Sequence, residues 1–219
     1  IVFILLFPFS LKGMMKTNLK TWFYLFISGL IGSAIPYFLF IKAQTKIDSS
    51  LNGVLNSITP LFTILFGILL FKIKINIKPL IGVIIGLIGA SGLILISSKE
   101  GLENPITFFA ILPVIGSACY ALNVNLIKIF LKDVSPIKIT SWSLLIIGPI
   151  SGIFLFNNTN FINHHLSDDT CLKSFFYINV LAILGTGVAV WLFNTLIKHT
   201  SSVFASSVTY LIPIVAIFW

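Results

Sequence analysis

Apolar residues fill most of this chain in blocks of roughly 20, separated by short polar stretches. A helix needs about 20 apolar residues to cross a hydrocarbon core ~30 Å thick, so each block predicts a membrane-spanning helix. The full blocks are Thr21–Ile41, Ser49–Phe71, Pro79–Ser98, Pro105–Leu131, Ile139–Phe156, Ser174–Ile197 and Ser201–Trp219. Pro79 suits the first turn of its helix, where a missing N–H costs nothing. Residues 157–173 form the one long polar loop. Ile1–Phe9 is too short to span and reads as the back end of an eighth helix. It lacks the positive region and the small-residue cleavage site of a signal peptide. The chain opens at Ile1 and closes at Trp219 inside apolar runs, as a piece of a longer protein would.

Composition sharpens this picture. Of the 219 residues, 57% are hydrophobic and only 9% are charged, with a mean hydropathy of +1.07. A soluble domain needs about a quarter of its residues charged, so most of this surface must face lipid. The cations are 14 lysines without a single arginine. They are scattered among the loops, which excludes a nucleic-acid-binding face and bidentate phosphate readout. Counted loop by loop, Lys minus Asp and Glu gives +3, +1, +3, −1, +2, −1 and +1. The odd loops total +9 and the even loops −1. Under the positive-inside rule loops 11–20, 72–78, 132–138 and 198–200 are cytoplasmic, and Asp168 and Asp169 face outward. An inner, or plasma, membrane is the expected location. The lysine threes of the first loops would also suit anionic lipid, but topogenic charge accounts for them.

A repeat underlies the pattern. Sliding the chain by 153 residues sets Gly32–Phe40 on Gly185–Phe193 without a gap, and brings Asn56 onto Thr209 and Pro60 onto Pro213. Five spans per copy, an odd number, place the copies in opposite orientations. The alternating loop charge agrees. Inverted repeats with paired discontinuous helices point to a secondary transporter.

The stretches Asn56-Ser-Ile-Thr-Pro60-Leu-Phe-Thr-Ile-Leu-Phe-Gly67 and Ile81-Gly-Val-Ile-Ile-Gly86-Leu-Ile-Gly89-Ala carry a resemblance, as do Ser117-Ala-Cys-Tyr120-Ala and Tyr210-Leu-Ile-Pro213. With them the chain resembles the EamA-like transporters of the drug/metabolite transporter superfamily. The resemblance implies an all-α polytopic membrane protein of two inverted five-helix repeats, with about eight of ten helices present. Residues 1–98 would hold the first repeat and 105–219 the second. The family's usual Gly-Glu pair after the fourth helix is replaced here by Phe71-Lys72.

Candidate site residues gather where helices break. Proline has no N–H, so Pro60 frees the carbonyl of Asn56 and Pro213 that of Thr209. An unpaired amide group in hydrocarbon costs several kcal/mol and must meet protein, water or ligand. Asn52, Asn56, Thr59 and Thr63 recur on one helical stripe beside the first break; Thr209 and Tyr210 stand at the second. Gly53, Ser57, Ser202 and Ser206 would equally allow close helix packing. Tyr37, Trp191 and Asn194 lie on the paired third and eighth helices, which line the central cavity in related transporters. Tyr120 and Asn123 share a face with Gly116, whereas Asn125 lies on another; one amide is expected to seal a helix contact. Gly82, Gly86 and Ala90 form a packing stripe. Asp48 most simply caps the helix it precedes.

No metal or other cofactor is expected. His164-His165 with Asp168-Asp169 lacks a zinc spacing, and Cys119 and Cys171 suggest neither a metal site nor a disulfide. No carboxylate lies in a span interior, so proton coupling through a buried acid is not supported. The expected function is therefore transport of a small metabolite, amino-acid-like or another small organic solute, by alternating access. Export is what the resemblance implies. A nucleotide-sugar or phosphorylated-sugar exchanger of the same fold is the alternative, but it would want cations in the cavity. A channel would need selectivity rings, and an intramembrane enzyme would need catalytic groups within the spans. Solute and lipid bilayer are the expected partners, and the oligomeric state is open.

Overall fold

A computed structural model describes residues 18–74, 77–97, 108–158 and 169–218, together with Pro8. Helix α1 covers Leu19–Gln44 and α2 covers Ser49–Leu69. Then come α3 (Ile77–Ser97), α4 (Phe108–Phe130) and α5 (Pro136–Asn158). Asp169–Leu181, Ala182–Val188 and Ala189–His199 run on as α6. Ser202–Ser207, Val208–Tyr210 and Leu211–Phe218 run on as α7. No strand occurs among the described residues. Helices α1, α2, α4, α5 and α6 are long and apolar enough to cross a membrane, and α3 and α7 add the shorter apolar stretches Ile77–Gly86 and Ser202–Val215. The chain is an all-α polytopic membrane protein. The stretch Ile1–Phe9 and the loop after it fall largely outside the described residues.

Several boundaries differ from the sequence reading. Helix α5 starts at Pro136 rather than Ile139, because proline is pre-shaped for an early helical position. The Ser135 carbonyl then receives the N–H groups of Lys138 and Ile139 at 3.0 and 3.1 Å. The polar stretch 157–173 is shorter than expected, since α5 keeps Asn157 and Asn158 while α6 already begins at Asp169. An acidic first residue suits the positive end of a helix. His164, His165 and Asp168 lie outside the described residues. Asp48 does occupy the N-cap of α2, yet its side chain makes no capping bond. Its carbonyl accepts the Asn52 N–H at 3.0 Å instead.

Helix α4 is the hub. It packs on the second half of α1, on both halves of α2, on the end of α6 and on the start of α7; α5 packs on the first half of α1 and the end of α6. In lipid no hydrophobic effect drives helix association, so close packing and interhelical hydrogen bonds must hold the bundle, each bond contributing about 0.6–2 kcal/mol. The Asn125 amide donates to the Thr63 carbonyl at 2.9 Å, and the Ser117 hydroxyl to the Leu55 carbonyl at 3.0 Å. Both tie α4 to α2. Leu25, Val124, Ile127, Ile139, Trp142, Ile197 and Ala205 form an apolar core from five helices, with Trp22 meeting Trp142 edge-on at a centroid distance of 3.9 Å. Phe38, Leu69, Ile85, Phe154, Phe176 and Leu181 are exposed. Side chains of this kind suit a surface that faces acyl chains.

The repeat is visible in how α2 meets α7. Ser49–Asn56 contacts Leu211–Phe218, while Thr59–Leu69 contacts Ser202–Ser207. First half against second half, both ways, is the contact pattern of two helices that cross antiparallel. A further correspondence has no signal in the hydropathy pattern. π-helical turns interrupt α1 at Leu30–Ala34 and α6 at Ala182–Val188. Adding the 153-residue offset carries 30–34 to 183–187, inside the second π turn. Gly32 and Gly185, paired in the sequence, sit within these matching turns.

Candidate solute-binding site

The break in α2 is satisfied from within the protein. The sequence reading leaves the Asn56 carbonyl to be met by protein, water or ligand. The Thr59 hydroxyl donates to it at 2.6 Å, and Ser117 from α4 covers the neighbouring Leu55 carbonyl. A hydroxyl three residues further on is a ready substitute for the N–H that Pro60 lacks. In α7 the Thr209 hydroxyl turns back to the Ser206 carbonyl at 2.9 Å, and Ser206 and Ser207 donate to Val203 and Phe204 at 2.9 and 2.7 Å.

The stripe of four polar residues on α2 also divides, because the turn at Ser57–Ile58 interrupts the helix. Asn56 and Thr59 line a cavity. Asn52 is buried and reaches the Phe40 carbonyl of α1 at 3.5 Å, and Thr63 is buried under Asn125. Gly53 faces Ile212 of α7, where an added Cβ would come within 3.3 Å. Asn52 and Thr63 therefore belong to helix contacts.

The cavity has a volume of about 260 Å³ and lies between α1, α2, α4, α5, α6 and α7. Tyr37, Asn56, Thr59, Tyr120, Asn123, Asn194 and Thr209 all meet in it. Asn123 is fixed by the Ser28 hydroxyl, which donates to its Oδ1 at 2.7 Å. Its amide lies so close over Gly32 that any Cβ there would collide with it. The Asn194 amide donates to Thr140 Oγ1 at 2.9 Å. Tyr120 stacks on Phe40 with centroids 5.7 Å apart, and Phe40 in turn covers Gly116, where a Cβ would come within 2.7 Å. Asn56 is the least committed amide. Its Oδ1 receives only a long contact from Thr59 at 3.3 Å, and its Nδ2 has no partner among the described residues. The wall thus offers amides, hydroxyls and aromatic faces, with no charged side chain among its described residues.

Three candidates stand elsewhere. Trp191 is 40% exposed and outside the cavity, whereas its neighbours Val190 and Phe193 line it. The Tyr210 hydroxyl donates to the Val83 carbonyl of α3 at 2.8 Å, and its ring lies over Gly86. The 3₁₀ turn at Val208–Tyr210 turns successive side chains by about 120°, so Tyr210 leaves the face of Thr209. Asn52 is the third. Of the two glycines in the α3 stripe, Gly86 is tightly packed, whereas a Cβ at Gly82 would meet nothing within 4 Å. Gly32, Ser33, Ser143, Val190 and Phe193 also line the wall, together with Val124, Ala189 and Ile212, and none of them was a candidate in the sequence. Gly32, Ser33, Ala189, Val190 and Phe193 fall in the stretch that repeats, a usable signal; Ser143 is one of three serines in α5, with Ser141 and Ser151, and nothing in the sequence set it apart. Among the described residues no group of His, Cys, Asp and Glu could hold a metal ion.

Fold and cavity together define a polytopic helical membrane protein with a chamber among six helices, to which the two broken helices α2 and α7 both contribute polar side chains. The EamA-like transporter family matches residues 1–95 and 107–219, and the chain belongs to that family: it is a transporter of small solutes of the drug/metabolite transporter type. No curated protein and no solved structure matches it.

Proposed function

We propose that the chamber is the central solute site of a carrier that works by alternating access and exports a small organic solute, amino-acid-like in size and polarity. One observation carries this reading: Asn56 and Thr209, equivalent positions on antiparallel broken helices, line the same cavity. Sites at the interface of inverted repeats, formed by discontinuous helices, are the hallmark of rocking carriers. Asn56 would offer its free amide donor, Asn123 and Asn194 further amide groups, and Tyr37 and Tyr120 an aromatic wall. A phosphorylated solute would call for cations that the described wall lacks. The moving units would be the repeats at 1–98 and 105–219. Loops 11–20, 72–78, 132–138 and 198–200 would face the cytoplasm of a plasma-membrane protein.

The test is a solute-panel export assay on the full-length protein in vesicles. Asn56→Leu and Thr209→Val should each lower transport of the best solute about tenfold, the equivalent of ~1.4 kcal/mol. Unchanged transport in both variants would reject the site.

A further inference from the structure

A second pocket, of about 220 Å³, opens where α4 and α6 end and α5 begins. Lys128, Lys132 and Lys198 line it together with apolar Leu131, Val134 and Ile139. The three cations are held differently. Lys128 donates through Nζ to the Ile197 and Lys198 carbonyls at 3.1 and 3.0 Å, which neutralises the negative end of α6. Lys198 reaches the Val134 carbonyl at 3.4 Å. Lys132 is exposed and has no partner among the described residues. No carboxylate lines the pocket among the described residues; Asp133 is its nearest acid in sequence and lies in the adjoining turn, outside the lining.

Like charges drawn together among apolar side chains repel one another, and an anion placed among them relieves that cost. The location narrows the anion. The pocket lies at the ends of three spanning helices, where a membrane protein meets the headgroup layer, and its lining combines three lysines with the apolar Ile127, Leu131, Val134 and Ile139. Lysine serves phosphate as a point charge and needs no planar fork. Basic pockets between transmembrane helices are where anionic headgroups bind. We propose that this pocket binds a phosphate group, supplied by an anionic phospholipid or by a soluble phosphate. Occupancy would tie together the ends of α4, α5 and α6, which carry Tyr120, Ser143 and Asn194 of the solute chamber.

The full-length protein in an uncharged detergent is the material for the test, with thermal unfolding as the readout. Phosphatidylglycerol should raise Tm while phosphatidylcholine does not. The double variant Lys132→Gln with Lys198→Gln should lose more than half of that rise. Lys42→Gln with Lys46→Gln, in the α1–α2 turn, should keep it. A rise from inorganic phosphate at least equal to that from the lipid, and lost in the same double variant, would assign the site to soluble phosphate. Equal effects of the two lipids would overturn the proposal. So would a full rise in the pocket variant, or an equal loss in the control variant.

Discussion

Thr59 shows how one side chain lets a proline sit in the middle of a membrane helix. Its hydroxyl replaces the N–H missing at Pro60 and closes the Asn56 carbonyl at 2.6 Å. Thr59→Val keeps the shape but removes the donor, leaving a buried acceptor unpaired at a cost of about 1–3 kcal/mol. Thr59→Ser should recover most of that loss. Unfolding of both variants in detergent checks the claim, and an unperturbed Thr59→Val would show that water or another group serves the carbonyl. At this scale the sequence was partly legible. Polar residues in mid-span had to be satisfied somewhere, and Asn56, Asn123, Asn194 and Thr209 do meet in one chamber. Which partner each would find was not legible, because sequence spacing shows that adjacent Thr209 and Tyr210 point to different sides but not that Tyr210 meets Val83.

The helices themselves were written in block length, since an apolar run of spanning length has few other stable states in lipid. Their ends were less clear. Asn157, Asn158 and Asp169 are polar yet helical, as helices can run on past the hydrocarbon into the headgroup layer. The π turns in α1 and α6 escaped the hydropathy pattern because a bulge inserts backbone without changing apolar character. Lys72, just past the end of α2, is the non-glycine residue with positive φ among the described residues, at 53°. A left-handed conformation costs an L-residue about 1–2 kcal/mol, and the Ile73 N–H reaching back to Gly67 at 2.8 Å holds the turn in place. Lys72→Gly should therefore stabilise the protein by about 1 kcal/mol. A fall in Tm would mean that the lysine side chain contributes more than its backbone costs.

For the whole molecule the decisive relation is between α2 and α7. Each supplies a break and a polar residue at the same repeat position, and their halves meet in reverse order. The antiparallel contacts of α2 and α7 are what the proposed inverted orientation of the two copies would require. Composition said that the chain lives in lipid; only the packing says that Asn56 and Thr209 share a chamber, because periodicity places a residue on a face and not against a partner.

That shared chamber is most directly tested by thiol labelling. In a background with Cys119→Ala and Cys171→Ala, Asn56→Cys and Thr209→Cys are compared with Asn52→Cys and Ile64→Cys, both buried outside the cavity. A small hydrophilic maleimide should modify positions 56 and 209 and spare 52 and 64, and a transported solute should slow both reactions together. Labelling of 52 and 64 as fast as 56 and 209, or protection at one of the pair without the other, would contradict a single solute chamber between the broken helices.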